Sequence, residues 1–379
     1  MVWHTPKEEL EIKRLQSARM VGEWGVAPDG KEWVHWQKQA TLFEVMRAAG
    51  YAERERILYF DLPGKKTAYE DCGKKLAKGC DHVAAHPGGK IFVRLGKRSC
   101  NRKSCPICFE GWASREAERA TIRLATYVVG PRVAKNTLER ISHDFQAHPP
   151  RVLHGAIVGS MEEMIQEGKR SPIHLMLSPP QDLYDGKNDP DLRVFRALRK
   201  AATEFAKKAH FRGGSMIFHP YRLKCPDCGL AYPDYHKECS CGSQRKPQWF
   251  WSPHFHCVGF GWIQHTKELY EEHGWVIRNL GIRKSVFWTF QYLLSHAGVA
   301  QGVHTTTWFG ELGYHAARMK GTPKMEAVRE ICPHCGQPLK PLEWIGGEDR
   351  GPPEYDEELA KKDPYSQEFL ASSGDWRAL

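Results

Sequence analysis

The chain reads as an α+β protein. Strand-like and helix-like patterns alternate through its middle, short cysteine pairs punctuate them, and the apolar content is that of a globular chain. Hydrophobic residues are 41% and charged residues 26% of 379, enough for two or three units with cores of their own. No apolar run approaches the roughly 18 residues of a membrane span. Met1-Val2-Trp3-His4, followed by charged residues, lacks the apolar core of a signal peptide, so a cytoplasmic protein without membrane partners is expected.

Residues 1–70 are expected to be largely helical, on a Trp-rich opening and the recurrence of Ala40, Leu42, Phe43, Val45 and Met46 between Lys38 and Gly50. A basic amphipathic helix is expected over Trp112–Leu124. Val152–Ser160 and Ile173–Ser178 read as strands, the second closed by Pro179-Pro180. From about Asp191 to His210, Phe195, Leu198, Ala202, Phe205 and Ala209 recur at three- and four-residue steps, which predicts a helix with one apolar face, ended by Gly213-Gly214. A strand Ser215–His219 turning at Pro220, a strand through His254-Phe255-His256, an apolar helix Ser285–His296 and a strand Val303–Phe309 follow. The Pro/Gly/acidic stretch beyond Gly346 is expected to be disordered. The domain reading is therefore 1–150, helical and zinc-binding; 151–320, the central domain with a cysteine insertion at 222–250; 321–345, a cysteine knuckle; and 346–379, the tail.

Net charge is +10, unevenly spread: residues 341–379 carry ten acidic and four basic side chains, leaving 51 basic and 35 acidic in the rest. Such a body suits a polyanion, most simply nucleic acid. Of the twelve cysteines, ten are assigned to three local clusters, which in a reducing compartment means metal rather than disulfides. Cys225-Pro-Asp-Cys228 and Cys239-Ser-Cys241, each followed by a glycine, form a closed four-thiolate zinc site without a catalytic role. In the first cluster Cys105-Pro-Ile-Cys108 is one half, and Cys100, Cys80 and Cys72 compete to complete it. Cys80 and Cys100 are favoured, with His82 and His86 as substitutes. Lys97, Arg98, Arg102 and Lys103 would bring positive charge beside that knuckle. Cys332-Pro-His-Cys335 is half a knuckle, which His304, His315 or another chain would complete, the alternative being a pair without metal. Two or three structural Zn²⁺ ions are expected.

His254-Phe255-His256 carries the chemistry. On a strand, both imidazoles share one face and Phe255 and Cys257 the other, so the pair can hold one divalent ion. Tyr292 and His296, four residues apart, share a helix face. A phenol, with pKa about 10, is a weak nucleophile until a metal or base activates it, and in so apolar a helix a lone tyrosine is ordinarily a core residue.

The order His174-Leu-Met-Leu-Ser178, Pro253-His254-Phe-His256, Tyr292-Leu-Leu-Ser-His296 resembles the three successive motifs of HUH endonucleases, and more closely the replication initiators of archaeal rolling-circle plasmids and viruses. Gly213-Gly-Ser-Met-Ile-Phe-His219-Pro-Tyr-Arg222 and Ser252–Trp262 support the resemblance, which covers roughly residues 170–310. It implies a nicking domain with a central antiparallel sheet flanked by helices, and metal ligands at His254 and His256, with His219 in the place of the third. It also implies Mn²⁺ or Mg²⁺ as the nicking metal and Tyr292 as the nucleophile that forms a 5′-phosphotyrosine on single-stranded origin DNA. His296 stands where many relatives have lysine and would orient or deprotonate the phenol. Tyr314-His315 is a rival beyond the matching motif. Without a Walker A pattern, unwinding and synthesis would fall to a host helicase and polymerase. The alternatives are a non-catalytic zinc-ribbon protein that binds nucleic acid, or a transposase using the same chemistry.

Overall fold

The computed structural model describes residues 60–168, 170–184, 192–229, 239, 241–243, 248–324, 330–346 and 351–379, and the backbone of 21–26 and 32–37. It is an α+β chain that divides into two compact units: 1–62 with 171–284 and 296–316, and 63–170 with 285–295 and 317–379. Ahead of both sheets, β1 (Val21–Val26) and β2 (Glu32–Gln37) pair antiparallel. This corrects the helical expectation for that part of the N-terminal region: valine and tryptophan favour strands, and Pro28-Asp29-Gly30 between them is turn sequence. The periodic stretch Lys38–Gly50 lies outside the described residues.

In the first unit, β5 (Ile173–Ser178), β6 (Phe211–Lys224), β7 (Gln248–Gly261), β8 (Val276–Ile282) and β9 (Thr306–Gly310) form one antiparallel sheet in the order β8-β5-β7-β6-β9. Alternation decides its faces. Leu175 and Leu177 on β5, Met216 and Phe218 on β6, and Phe255 and Cys257 on β7 join one apolar core. Against them pack Phe195, Leu198, Ala202 and Ala206 of the helix Leu192–Lys208 and Leu269 of the helix Thr266–His273. The opposite face carries His174, His254 and His256 on β5 and β7, and His219 on β6.

Gly213 and Gly214 do not end the preceding helix, which stops at Lys208; they lie in β6. A side chain at Gly259 on β7 would bring its Cβ within 2.2 Å of the Gly213 carbonyl oxygen, so glycine here serves close strand approach. Nor does Pro220 close the strand. The register slips between His219 and Tyr221, and such a bulge accepts a residue that has no N–H to donate.

The second unit is built on another antiparallel sheet, in which β3 (Lys75–Cys80) and β4 (Ile91–Lys97) meet β10 (Lys340–Trp344), β11 (Glu368–Ala371) and β12 (Trp376–Ala378) in the order β11-β4-β3-β10-β12. Its helices are α1 (Phe109–Val129), α2 (Pro131–Asp144) and α3 (Pro150–Glu167), followed later in the chain by Val286–Ser295, here called the tyrosine helix. Two expectations are overturned here. Val152–Ser160 is helical: Ile157, Met161 and Ile165 recur every four residues and are buried while Gly159 and Glu163 midway between them are exposed, which a strand's period of two does not give, and Pro150 suits its first turn. The acidic tail is folded where it is described, supplying β11, β12 and the helix Glu357–Lys362. Its carboxylates answer the basic β3–β4 hairpin: Glu354 pairs with Lys75 at 2.9 Å, Glu357 with Lys97, and Glu368 with the buried Arg94 at 2.5 Å. No helix among the described residues is long and apolar enough to cross a membrane.

Candidate metal centre

His219, His254 and His256 converge on the free face of the first unit's sheet, all buried, with their ligand atoms within 4.8 Å of one another. Strand pairing does this directly. His219 is the register partner of His254, and His256 lies two residues further along the same pleat, opposite Ile217 on one side and Met176 on the other. Ring centroids are 4.4 Å apart for His219–His256 and 5.0 Å for His254–His256.

The tautomers are set by what each ring's other nitrogen touches. His254 Nδ1–H donates to the Ser252 carbonyl at 2.8 Å, leaving Nε2 as the lone pair. His256 Nδ1 lies 2.7 Å from His174 Nε2, so its Nε2 faces the cluster. Burial first, then the charges of Arg222 and His219, holds His254 well below the ordinary histidine range. Burial, then His254 and His174, does the same for His256. Burial and Arg283 draw His174 down to about 3. These rings are therefore neutral at pH 7, the state that can ligate. Three convergent imidazoles fit a divalent first-row transition ion and fit Mg²⁺ poorly, since Mg²⁺ demands octahedral oxygen ligation.

The remaining expected residues fall in two places. His296 lies in the first unit with its ring centroid 4.4 Å from that of His219, outside the three-histidine group. Tyr292 sits on the tyrosine helix in the second unit, 55% exposed, while Phe287, Phe290, Leu293 and Leu294 take the buried positions. It is not a core aromatic. That helix is held at its start by Glu162, whose Oε1 accepts from Ser285 Oγ at 2.8 Å and from the Phe287 N–H at 2.9 Å. Gln291 Nε2 donates to Ser114 Oγ at 2.9 Å further along. Tyr314 and His315 belong to no metal-ligating group among the described residues.

Three further groups have the donor sets of structural zinc: Cys72, Cys100, Cys105 and Cys108; Cys80, His86, Cys332 and Cys335; and Cys225, Cys228, Cys239 and Cys241. The last matches its sequence assignment. The first corrects one: Cys72, not Cys80, completes it. Cys72 precedes β3 and Cys80 ends it, and Gly73 N–H bonded to the Arg98 carbonyl at 2.9 Å pins the start of that strand beside Cys100. At the strand's far end Cys80 meets the Cys332–Cys335 knuckle. His86 completes that set in place of His304 or His315: its Nδ1–H donates to the Lys90 carbonyl at 2.9 Å, and its Nε2 lies 3.3 Å from Cys332 Sγ.

Each set already holds at least one acidic thiol. Burial opposes it, but hydrogen bonds from Arg102 draw Cys100 down to about 6, backbone N–H groups of Cys228 and Asp227 do so for Cys225, and the Gln337 backbone N–H with the His86 side chain does so for Cys335. A thiolate at neutral pH is the form that takes a metal ion.

Sequence reasoning ranked Cys72 behind Cys80, offered His86 only as a substitute in the first cluster rather than beside Cys332 and Cys335, and gave His174 no task. It also passed over Arg222, whose Nη2 donates to Ser178 Oγ at 2.7 Å and lies 3.6 Å from Met176 Sδ. Compared with known protein families, characterised proteins and solved structures, the chain matches none of them.

Proposed function

We propose that this protein nicks and rejoins single-stranded DNA, as the initiator of a rolling-circle replicon. The observation that carries the reading is the convergence of His219, His254 and His256 as buried candidate ligands on two paired strands. It is joined by an exposed tyrosine four residues before His296, whose ring borders that of His219. The alternation of motifs along the chain and the basic body point the same way.

A divalent ion held by the three histidines would polarise the scissile phosphodiester and offset the charge that builds during attack. Mn²⁺ suits this all-nitrogen set better than Mg²⁺. The chain's own residues supply the rest. Tyr292 Oη attacks phosphorus as its proton passes to a base, for which His296 is the candidate. The P–O3′ bond breaks, the 3′ oxygen takes up a proton, and a 5′-phosphotyrosine remains. Attack by a 3′ hydroxyl on that ester reverses the step and rejoins the strand. Origin unwinding and synthesis would come from a host helicase and polymerase.

The test is incubation of full-length protein with end-labelled single-stranded oligonucleotides tiled across the replicon, with Mn²⁺ or Mg²⁺, followed by denaturing electrophoresis. A covalent adduct is expected from wild type, with loss of at least about a hundredfold in Tyr292→Phe and in His254→Ala. Binding without any adduct would instead identify a zinc-held nucleic-acid-binding protein.

A further inference from the structure

Arg222 sits in a position that packing alone does not account for. The sheet order places β7 between β6, which carries Arg222, and β5, which carries Ser178 and Met176. For its Nη2 to reach Ser178 Oγ at 2.7 Å, the side chain must cross β7. It does so on the face of His254 and His256, because Met176, which the same nitrogen also approaches, is the register partner of His256.

No carboxylate pairs with this guanidinium among the described residues; its contacts there are a hydroxyl and a thioether. After burial, Arg222 feels the Tyr184 phenol, which favours its charge, and then Arg278, the register partner of Met176 on β8, which opposes it. Burial draws Arg222 down to about 10, against the ordinary preference of arginine for water. A half-buried guanidinium without an anion is unfavourable, and the planar fork of N–H donors matches phosphate oxygens better than any other side chain does.

We propose that Arg222 is the anion-binding residue of the three-histidine centre, its remaining N–H groups holding a non-bridging phosphate oxygen of the DNA strand beside His254 and His256. The inference rests on the nicking reading for the identity of the strand, though any phosphate monoanion or dianion shares the chemistry. Serine and methionine orient the guanidinium without neutralising it, so its whole charge is available to the ligand. Charge that develops on that oxygen during attack would be stabilised by a donor already in place.

The experiment uses full-length protein loaded with Mn²⁺ and inorganic phosphate as the probe, read by ³¹P relaxation from the bound ion. Saturable relaxation is expected for wild type. Arg222→Gln should raise the apparent phosphate Kd at least about tenfold with Mn²⁺ affinity changed less than about twofold, and Arg222→Lys should fall between. Ser178→Ala, which keeps the cation and removes only its anchor, gives a milder loss and covers the case in which the glutamine variant folds poorly. Equal phosphate affinity in wild type and Arg222→Gln at equal Mn²⁺ occupancy would overturn the assignment, as would loss of Mn²⁺ itself from both Arg222 variants. The nicking reading is judged separately by the Tyr292→Phe adduct assay. Phosphate held through Arg222 by a protein that forms no adduct would support this inference and sink that one.

Discussion

His174 shows how one hydrogen bond can define a metal ligand. If His256 ligates through Nε2, its Nδ1 carries the proton and donates to His174 Nε2 at 2.7 Å. The other nitrogen of His174 is then a buried N–H without an acceptor among the described residues, which costs about 1–3 kcal/mol. Folding alone would be served as well by leucine. His174→Leu is therefore expected to weaken Mn²⁺ or Co²⁺ binding about 10- to 100-fold, while His174→Gln, which keeps an acceptor near the same place, stays close to wild type. Titration of each variant with Co²⁺, followed by its visible spectrum, checks this, and equal affinities would refute it. The same rings make stability depend on pH. His174, His254 and His256 all titrate below their unfolded value of about 6.5, so below that pH the unfolded chain binds more protons than the folded one. The contribution of these rings is complete above about pH 6.5 and falls beneath it, each with a slope of up to about 1.4 kcal/mol per pH unit. Denaturant melts of wild type and His174→Leu between pH 7.5 and 5 should show a shallower fall in the variant, the cysteine sites being common to both proteins. The histidine pair was legible in the sequence because a strand's period of two needs only three residues to display it. His174 and Arg222 were not, since their significance lies in which strand neighbours which.

Among the elements, those with a long internal period were readable: Ile173–Ser178 as a strand, and Leu192–Lys208 and Val286–Ser295 as helices, within a few residues of their ends. Val152–Ser160 was misread because its β-branched residues gave a strand-like window too short to reveal the four-residue spacing that continues to Ile165. Gly213-Gly214 was misread because glycine marks both helix ends and close strand contacts, and only the partner strand, with Gly259, distinguishes them. The tyrosine helix depends on a carboxylate that no local pattern reveals. Glu162 on α3 satisfies its first-turn N–H and its Ser285 hydroxyl, as a cap borrowed from another helix. Glu162→Ala should lower stability by about 0.5–2 kcal/mol and raise amide exchange in Val286–Ser295 ahead of α1. Hydrogen exchange resolved by residue would show this, and unchanged protection in that helix would remove Glu162 from the account.

At the scale of the whole chain, composition suggested a basic body with a loose acidic tail, and the tail proved to be part of a fold. Arg94, nearly fully buried, donates to Glu368 at 2.5 Å, to Glu330 at 2.9 Å and to the Ala147 carbonyl at 2.9 Å. Deleting residues 347–379 removes Glu368 with β11 and β12, and should destabilise the protein by at least about 3 kcal/mol. Urea melts that coincide for the truncated and full-length proteins would contradict the arrangement. The pairing of Cys80 with Cys332 and Cys335 was likewise hidden, because spacing rules identify ligands that are neighbours along the chain and these are not. That separation bears on how the molecule is made. Cys80 and Cys335 are 255 residues apart, so at ordinary synthesis rates of 5–20 residues per second the β3–β4 hairpin emerges roughly 13–50 s before its sheet partners exist. Throughout that interval its edges are open and Cys80 and His86 have only half of their metal set. Strands made after residue 339 therefore close the β3–β4 hairpin, and a nascent chain stalled before residue 332 would be a substrate for chaperones.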